Sequence, residues 1–159
     1  MALYSKTIDK RYNILYNRCI TIFDKRKDSM DTKSMLVKKS TNDELMQATF
    51  VVMVPDEVDL QGDTVSEEEV RKACHNFNKF CRQPNLMHIR KTNSFEFAES
   101  YILPVDAVIE GHQIKKGSWL CTIQCLNPEL WDLIKSGEIN GVSIGAMAIT
   151  EELDNEENK

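Results

Sequence analysis

From residue 45 to residue 149 the chain carries a succession of short β-branched and aromatic runs, most of them cut by Pro or Gly. This punctuation restricts the fold more than any other feature of the sequence. Residues 45–54 are apolar and end at Pro55. A short strand is expected over 85–91, around Leu86-Met87-His88-Ile89, and another over 95–103, stopped by Pro104. On the latter, alternation puts Phe95, Phe97, Glu99 and Tyr101 on one face. Residues 105–110 lead into a turn at Gly111-His112. In the strand expected over 117–126, Trp119, Cys121, Ile123 and Cys125 alternate onto one face. The last strand spans 139–149. Strands that follow one another without helical crossovers pair antiparallel. The expected fold is α+β, or a small, mostly antiparallel β-barrel with helices outside.

Two helices interrupt the strands. Ser66 and Glu69 have capping-box spacing, and Glu67 and Glu68 suit the positive end of a helix. Val70, Ala73, Cys74, Phe77 and Cys81 then make one apolar stripe, and Pro84 marks its end. Asn127 caps a second, shorter helix with Pro128 at its first position. Leu130, Trp131, Leu133 and Ile134 supply its apolar side, and Gly137 its stop.

The chain has 159 residues, enough for one domain with a real core, and a net charge of -5. That charge is uneven. Residues 1–40 carry ten Lys/Arg against four acids, and they read as a basic N-terminal extension with an N-terminal helix as one option. Tyr12, Ile14, Leu15, Ile20, Ile22 and Phe23 are its packing residues. The main domain is placed at 41–150. Residues 151–159 hold five acids and are expected to lack order. A basic arm fits nucleic acid or an acidic protein. The expected strands show no basic surface interleaved with aromatics, so nucleic acid is not the expected partner.

Five cysteines at irregular spacing, without a Cys-x-x-Cys pair, argue for reduced thiols and against a zinc site. The acidic turn Asp56 to Asp63 lacks the ligand spacing of a calcium loop. No cofactor and no metal are expected. No apolar run reaches the roughly 18 residues of a membrane span, and no export signal is expected at the N-terminus.

Chemistry has few candidates. Serine needs a base to take its proton, and histidine suits that task near neutral pH. Of three histidines, His75 falls beside the helix stripe and His112 in a turn, where exposure is expected. His88 lies on an expected strand among apolar residues, where a structural role is the alternative. Ser143 sits in Gly141-Val142-Ser143-Ile144-Gly145. Small neighbours admit a substrate backbone and leave room for amides to meet an oxyanion. The helix precedes this serine, which departs from a hydrolase nucleophile elbow, and a buried serine in a Gly-rich strand is the alternative. Glu99, on a partly apolar face, either pairs with a histidine or reaches solvent at an edge.

These residues lie in a wider pattern. It comprises Val54-Pro55-Asp56 through Asp59-Leu60-Gln61-Gly62-Asp63, Met87-His88, Ala98-Glu99-Ser100-Tyr101-Ile102, Lys116-Gly117-Ser118-Trp119, Glu129-Leu130-Trp131 and Gly141 to Gly145. In order and spacing it resembles phage prohead serine proteases of the XkdF type, relatives of the herpesvirus assemblin-like proteases, over about residues 45–150. The resemblance implies a compact herpesvirus-protease-like β-barrel flanked by helices. It also implies a serine endopeptidase that cuts scaffold and major capsid proteins in the procapsid, within the infected bacterial cytoplasm. It maps the nucleophile onto Ser143 and the base onto His88. No histidine follows Ser143, so the third member is Glu99, with Glu151 or Glu152 behind it, or the site is a dyad. A non-catalytic capsid-assembly or scaffold protein on the same fold is the alternative. Oligomeric state is left open by the sequence.

Overall fold

A computed structural model describes residues 10–24, 39–58, 63–82, 85–86, 90–91 and 93–152. In chain order the strands are β1 (Lys10–Asp24), β2 (Lys39–Asn42), β3 (Gln47–Met53) and β4 (Asp63–Thr64). Helix α1 (Glu67–Asn76) runs on into a π-helical turn, Phe77–Cys81. There follow β5 (Asn85–Leu86), β6 (Arg90–Lys91), β7 (Phe95–Ile102), β8 (Ala107–Ile109), β9 (His112–Ile114) and β10 (Trp119–Cys125). Helix α2 (Pro128–Lys135) and β11 (Ile139–Glu152) are the last described elements. The fold is α+β and mostly antiparallel. Neither helix is long and apolar enough to cross a membrane.

Among the described residues the strands make three sheets, ordered β11-β1-β5-β6 with β4 also on β1, β2-β3-β10-β7, and the β8-β9 hairpin. Pairing among the described residues leaves each sheet open and does not close a barrel. Where one strand was expected over 85–91, two short ones stand, antiparallel, with Leu86 opposite Arg90. No Gly, Pro or Asn lies at 87–89 to mark that reversal in the sequence.

The core follows from the alternation of β10. Trp119, Cys121, Ile123 and Cys125 are all buried, against Ala48, Phe50 and Val52 of β3 and Phe95 and Phe97 of β7. The α1 stripe closes this layer with Val70, Ala73, Cys74 and Phe77, and α2 adds Leu130, Trp131 and Ile134. The Phe77 ring meets Phe97 edge-on at 5.0 Å and Trp119 at 5.5 Å. Both helix starts are capped as their sequences dictate. The Ser66 hydroxyl accepts from the Glu69 amide at 3.3 Å, and Asn127 accepts from the Glu129 and Leu130 amides. A second, smaller cluster of Leu103, Ile114 and Leu120 forms where the β8-β9 hairpin covers the other face of β10. Glu110 and Gly111 turn that hairpin with φ of 49° and 77°, as a two-residue primed turn requires. His75 is exposed as expected, whereas His112 opens β9 and is half-buried.

Residues 10–24, which the sequence sets within a basic extension, form the long strand β1 at the middle of a sheet. Its β-branched and aromatic residues, Tyr12, Ile14, Tyr16, Ile20, Thr21, Ile22 and Phe23, suit a strand, and they outweigh the reading of its Lys and Arg content as solvated coil. Glu151 and Glu152 continue β11, in register with Arg11 and Lys10.

Gly117 turns the chain into β10 with φ of +84°, and a Cβ there would come within 2.7 Å of the Glu67 side chain. Gly117→Ala is therefore expected to destabilise the protein by about 1–2 kcal/mol, read as a lowered urea midpoint at unchanged slope.

Candidate active site

Ser143 lies in β11 opposite Thr21 of β1, with Gly141 opposite Phe23 and Gly145 opposite Cys19. Register shifts flank this stretch: β1 has an extra residue at Arg18 and β11 one at Asn140. Such bulges bend a strand and interrupt its ladder, and they recur beside active sites. Gly141 is buried, and Val142 packs against the main core. On its other side β1 pairs in parallel with β5, Thr21 with Asn85 and Ile22 with Leu86. A row of residues therefore crosses the sheet as Asn85, Thr21, Ser143. Strand spacing of roughly 4.8 Å puts the outer two backbones about 10 Å apart.

His88 lies outside the described residues, as do its neighbours 87 and 89. Leu86, the last described residue before it, pairs with Ile22 in the sheet that carries Ser143.

Glu99 belongs to the other large sheet. In the β7–β10 register Thr122 pairs with Glu99 but Ile123 with Phe97, so Ala98 is an extra, bulged residue. The single face expected for Phe95, Phe97, Glu99 and Tyr101 is broken there. Phe95 and Phe97 stay in the core, while Glu99 and Tyr101 turn outward and are exposed. The bulge brings Ser100 inward, where its hydroxyl accepts from the Trp119 indole at 2.9 Å. Side chains from the π-helical turn and the residue that ends it satisfy carbonyls of the strand: Asn78 donates to Ser100 O at 3.0 Å and Arg82 to Phe97 O at 2.7 Å. Thr122 donates its hydroxyl to the Glu99 carboxylate at 3.1 Å, and Thr49 in turn stands 2.9 Å from Thr122. The cost of burying Glu99, which argued for a histidine partner, is thereby absent. Glu151 and Glu152 lie eight and nine positions beyond Ser143 on the same strand. At roughly 3.3 Å per residue that is about 26 Å or more along the strand, too far for contact with a base at Ser143.

The cysteines offer no competing nucleophile among the described side chains that are buried. Burial holds the thiols of Cys74, Cys121 and Cys125 above their ordinary range, Cys125 up to about 11. Such thiols stay protonated at neutral pH and are inert. Sequence reasoning missed Thr21 as the cross-strand partner of Ser143 and Asn85 as the partner of Thr21. The β-branched run Ile20-Thr21-Ile22 was the available signal for a strand, but nothing in it specifies the register.

The chain belongs to the phage family described as "Putative phage serine protease XkdF", whose family model matches residues 33–152. It is 36% identical over 127 residues to the protein YqbD of Bacillus subtilis (strain 168), covering 80% of this chain and 38% of that protein. It is 35% identical over 120 residues to the phage-like element PBSX protein XkdF of the same organism, covering 76% of this chain and 43% of that protein. The chain thus spans about two fifths of the length of these relatives. No solved structure matches it.

The buried thiols also set a pH dependence. Their folded pKa values are raised above the ordinary value of about 9. Their contribution is therefore complete below about pH 9 and is lost as pH rises through the folded values, about 11 for Cys125. Urea-unfolding free energies are expected to fall across that alkaline window, and less steeply in Cys125→Ala than in the unaltered protein.

Proposed function

We propose that the protein is a serine endopeptidase that cleaves scaffold and major capsid proteins during phage procapsid maturation. The observation that carries this reading is its membership of a phage serine protease family together with a Gly-flanked serine at a bulged stretch of β11. Ser143 attacks the scissile carbonyl while His88 takes its proton. Backbone amides beside Gly145 donate to the oxyanion of the tetrahedral intermediate. The imidazolium then protonates the leaving amine as the acyl-enzyme forms. Water, deprotonated by His88, attacks the ester and frees Ser143.

Glu99 enters this proposal as the third member, fixing the imidazole, and a Ser–His dyad is the smaller version of the same apparatus. The finer fold is proposed to be a herpesvirus-protease-like barrel, and the approach of β3 to β11 supports closure at that seam. The proposed place of action is the assembling procapsid within the infected bacterial cell, with no metal or cofactor taking part.

Purified protein incubated with phage scaffold and capsid proteins is expected to cleave them, and Ser143→Ala to lose that cleavage while keeping its circular dichroism and melting temperature. Cleavage by Ser143→Ala would reject the assignment, and a wild type without activity would return the reading to a non-catalytic assembly protein. Glu99→Gln is expected to lower kcat with KM unchanged. An unchanged kcat would reduce the apparatus to the dyad.

A further inference from the structure

We infer that the outward side of α1 and its π-helical turn is a docking surface for a short acidic segment of a partner protein, one that carries an apolar side chain beside its carboxylates. None of its residues takes part in the proposed Ser143–His88 chemistry. The chain has 25 Asp and Glu, yet none falls between Arg71 and Phe95, where six Lys and Arg stand. Val70, Ala73, Cys74 and Phe77 turn to the core. Lys72, His75 and Lys79, spaced i, i+3 and i+7, fall on the opposite side and are exposed. Lys72 is held by Glu68 and Glu69 at 3.0 and 2.7 Å. His75 and Lys79 have no acidic partner among the described residues.

Phe80 gives this face an apolar centre. At α-helical spacing it would follow Phe77 back towards the core. The π-helical turn widens that step, so half-buried Cys81 takes the place and Phe80 turns out, 71% exposed. Lys79 Nζ lies 5.0 Å from its ring centre. Turned to solvent, the ring adds little burial to the fold, whereas an aromatic among cations is the make-up of an interface anchor. Charge complementarity selects the occupant. Acids bound the cations on both sides: Glu67, Glu68 and Glu69 open α1, and Glu96 and Glu99 are exposed on β7, whose carbonyls Asn78 and Arg82 bond. From Lys72 to Lys79 the stripe runs about 10 Å at roughly 1.5 Å per residue. That is the span of about three extended residues. A long polyanion such as nucleic acid would run on into those carboxylates, and a short acidic segment would not.

The test uses the full chain and a fluorescein-labelled short peptide of alternating glutamate and leucine, read by anisotropy at low salt. Saturable binding is expected, weakened by added salt. Lys79→Glu and Phe80→Ser are each expected to weaken it about 10-fold or more, the scale of losing one interface anchor. Lys115→Glu, which reverses an exposed cation beside β9, is expected to bind as wild type. Lys79 and Phe80 are both exposed, so melting temperatures are expected to hold, and Lys79→Ala and Phe80→Ala repeat the comparison if a first variant does not fold. Absence of saturable binding overturns the inference, as does wild-type affinity in a folded variant at position 79 or 80. Equal affinity for a peptide of alternating glutamate and serine overturns the part assigned to Phe80. Tighter binding of an oligodeoxythymidine than of the glutamate–leucine peptide overturns the choice of occupant in favour of nucleic acid.

Discussion

The antiparallel pairing of β1 with β11 is the constraint on which the rest of the site depends. It fixes thirteen positions of one strand against the other, Thr21 against Ser143 among them. A one-residue slip would exchange the faces of Ser143 and Val142, sending the apolar residue away from the core it packs against. The hydrophobic layer and the placement of Ser143 are therefore not independent. Burial of Ile139 and packing of Val142 hold the start of β11, and the register carries that precision to Ser143.

The second sheet is organised differently. Its inner face is a continuous apolar layer from Ala48 and Phe50 through Trp119 and Ile123 to Phe97. Its outer face carries polar cross-strand pairs, Gln47 with Gln124 and Thr49 with Thr122 and Glu99. One extra residue, Ala98, decides that Glu99 belongs to the outer set. The same bulge lets Ser100 satisfy the buried Trp119 N–H, so it exchanges a carboxylate that would be costly in the core for a hydroxyl that is needed there.

Much of this was legible in the sequence wherever local chemistry decides structure. Ser66 and Asn127 announce their helices because their side chains satisfy the first free amides, and the Trp119 to Cys125 alternation gives the core face of β10. What was not legible depends on pairing at a distance. Strand periodicity cannot count an inserted residue, so the face of Glu99 was misjudged. The reversal between Leu86 and Arg90 has no turn residue to mark it. The strand character of 10–24 was present in Ile20, Thr21 and Ile22, but its basic residues drew attention first, and its partner lies some 120 positions away. Ser143 stood out by its glycines, and what lies beside it did not.

The central proposal is that His88 activates Ser143. Peptide mapping by mass spectrometry after reaction with a fluorophosphonate tests it most directly. The account predicts a single adduct on the peptide containing Ser143, and none when His88 is replaced by alanine. An adduct on a different residue, or an equal adduct on Ser143 in His88→Ala, would contradict it.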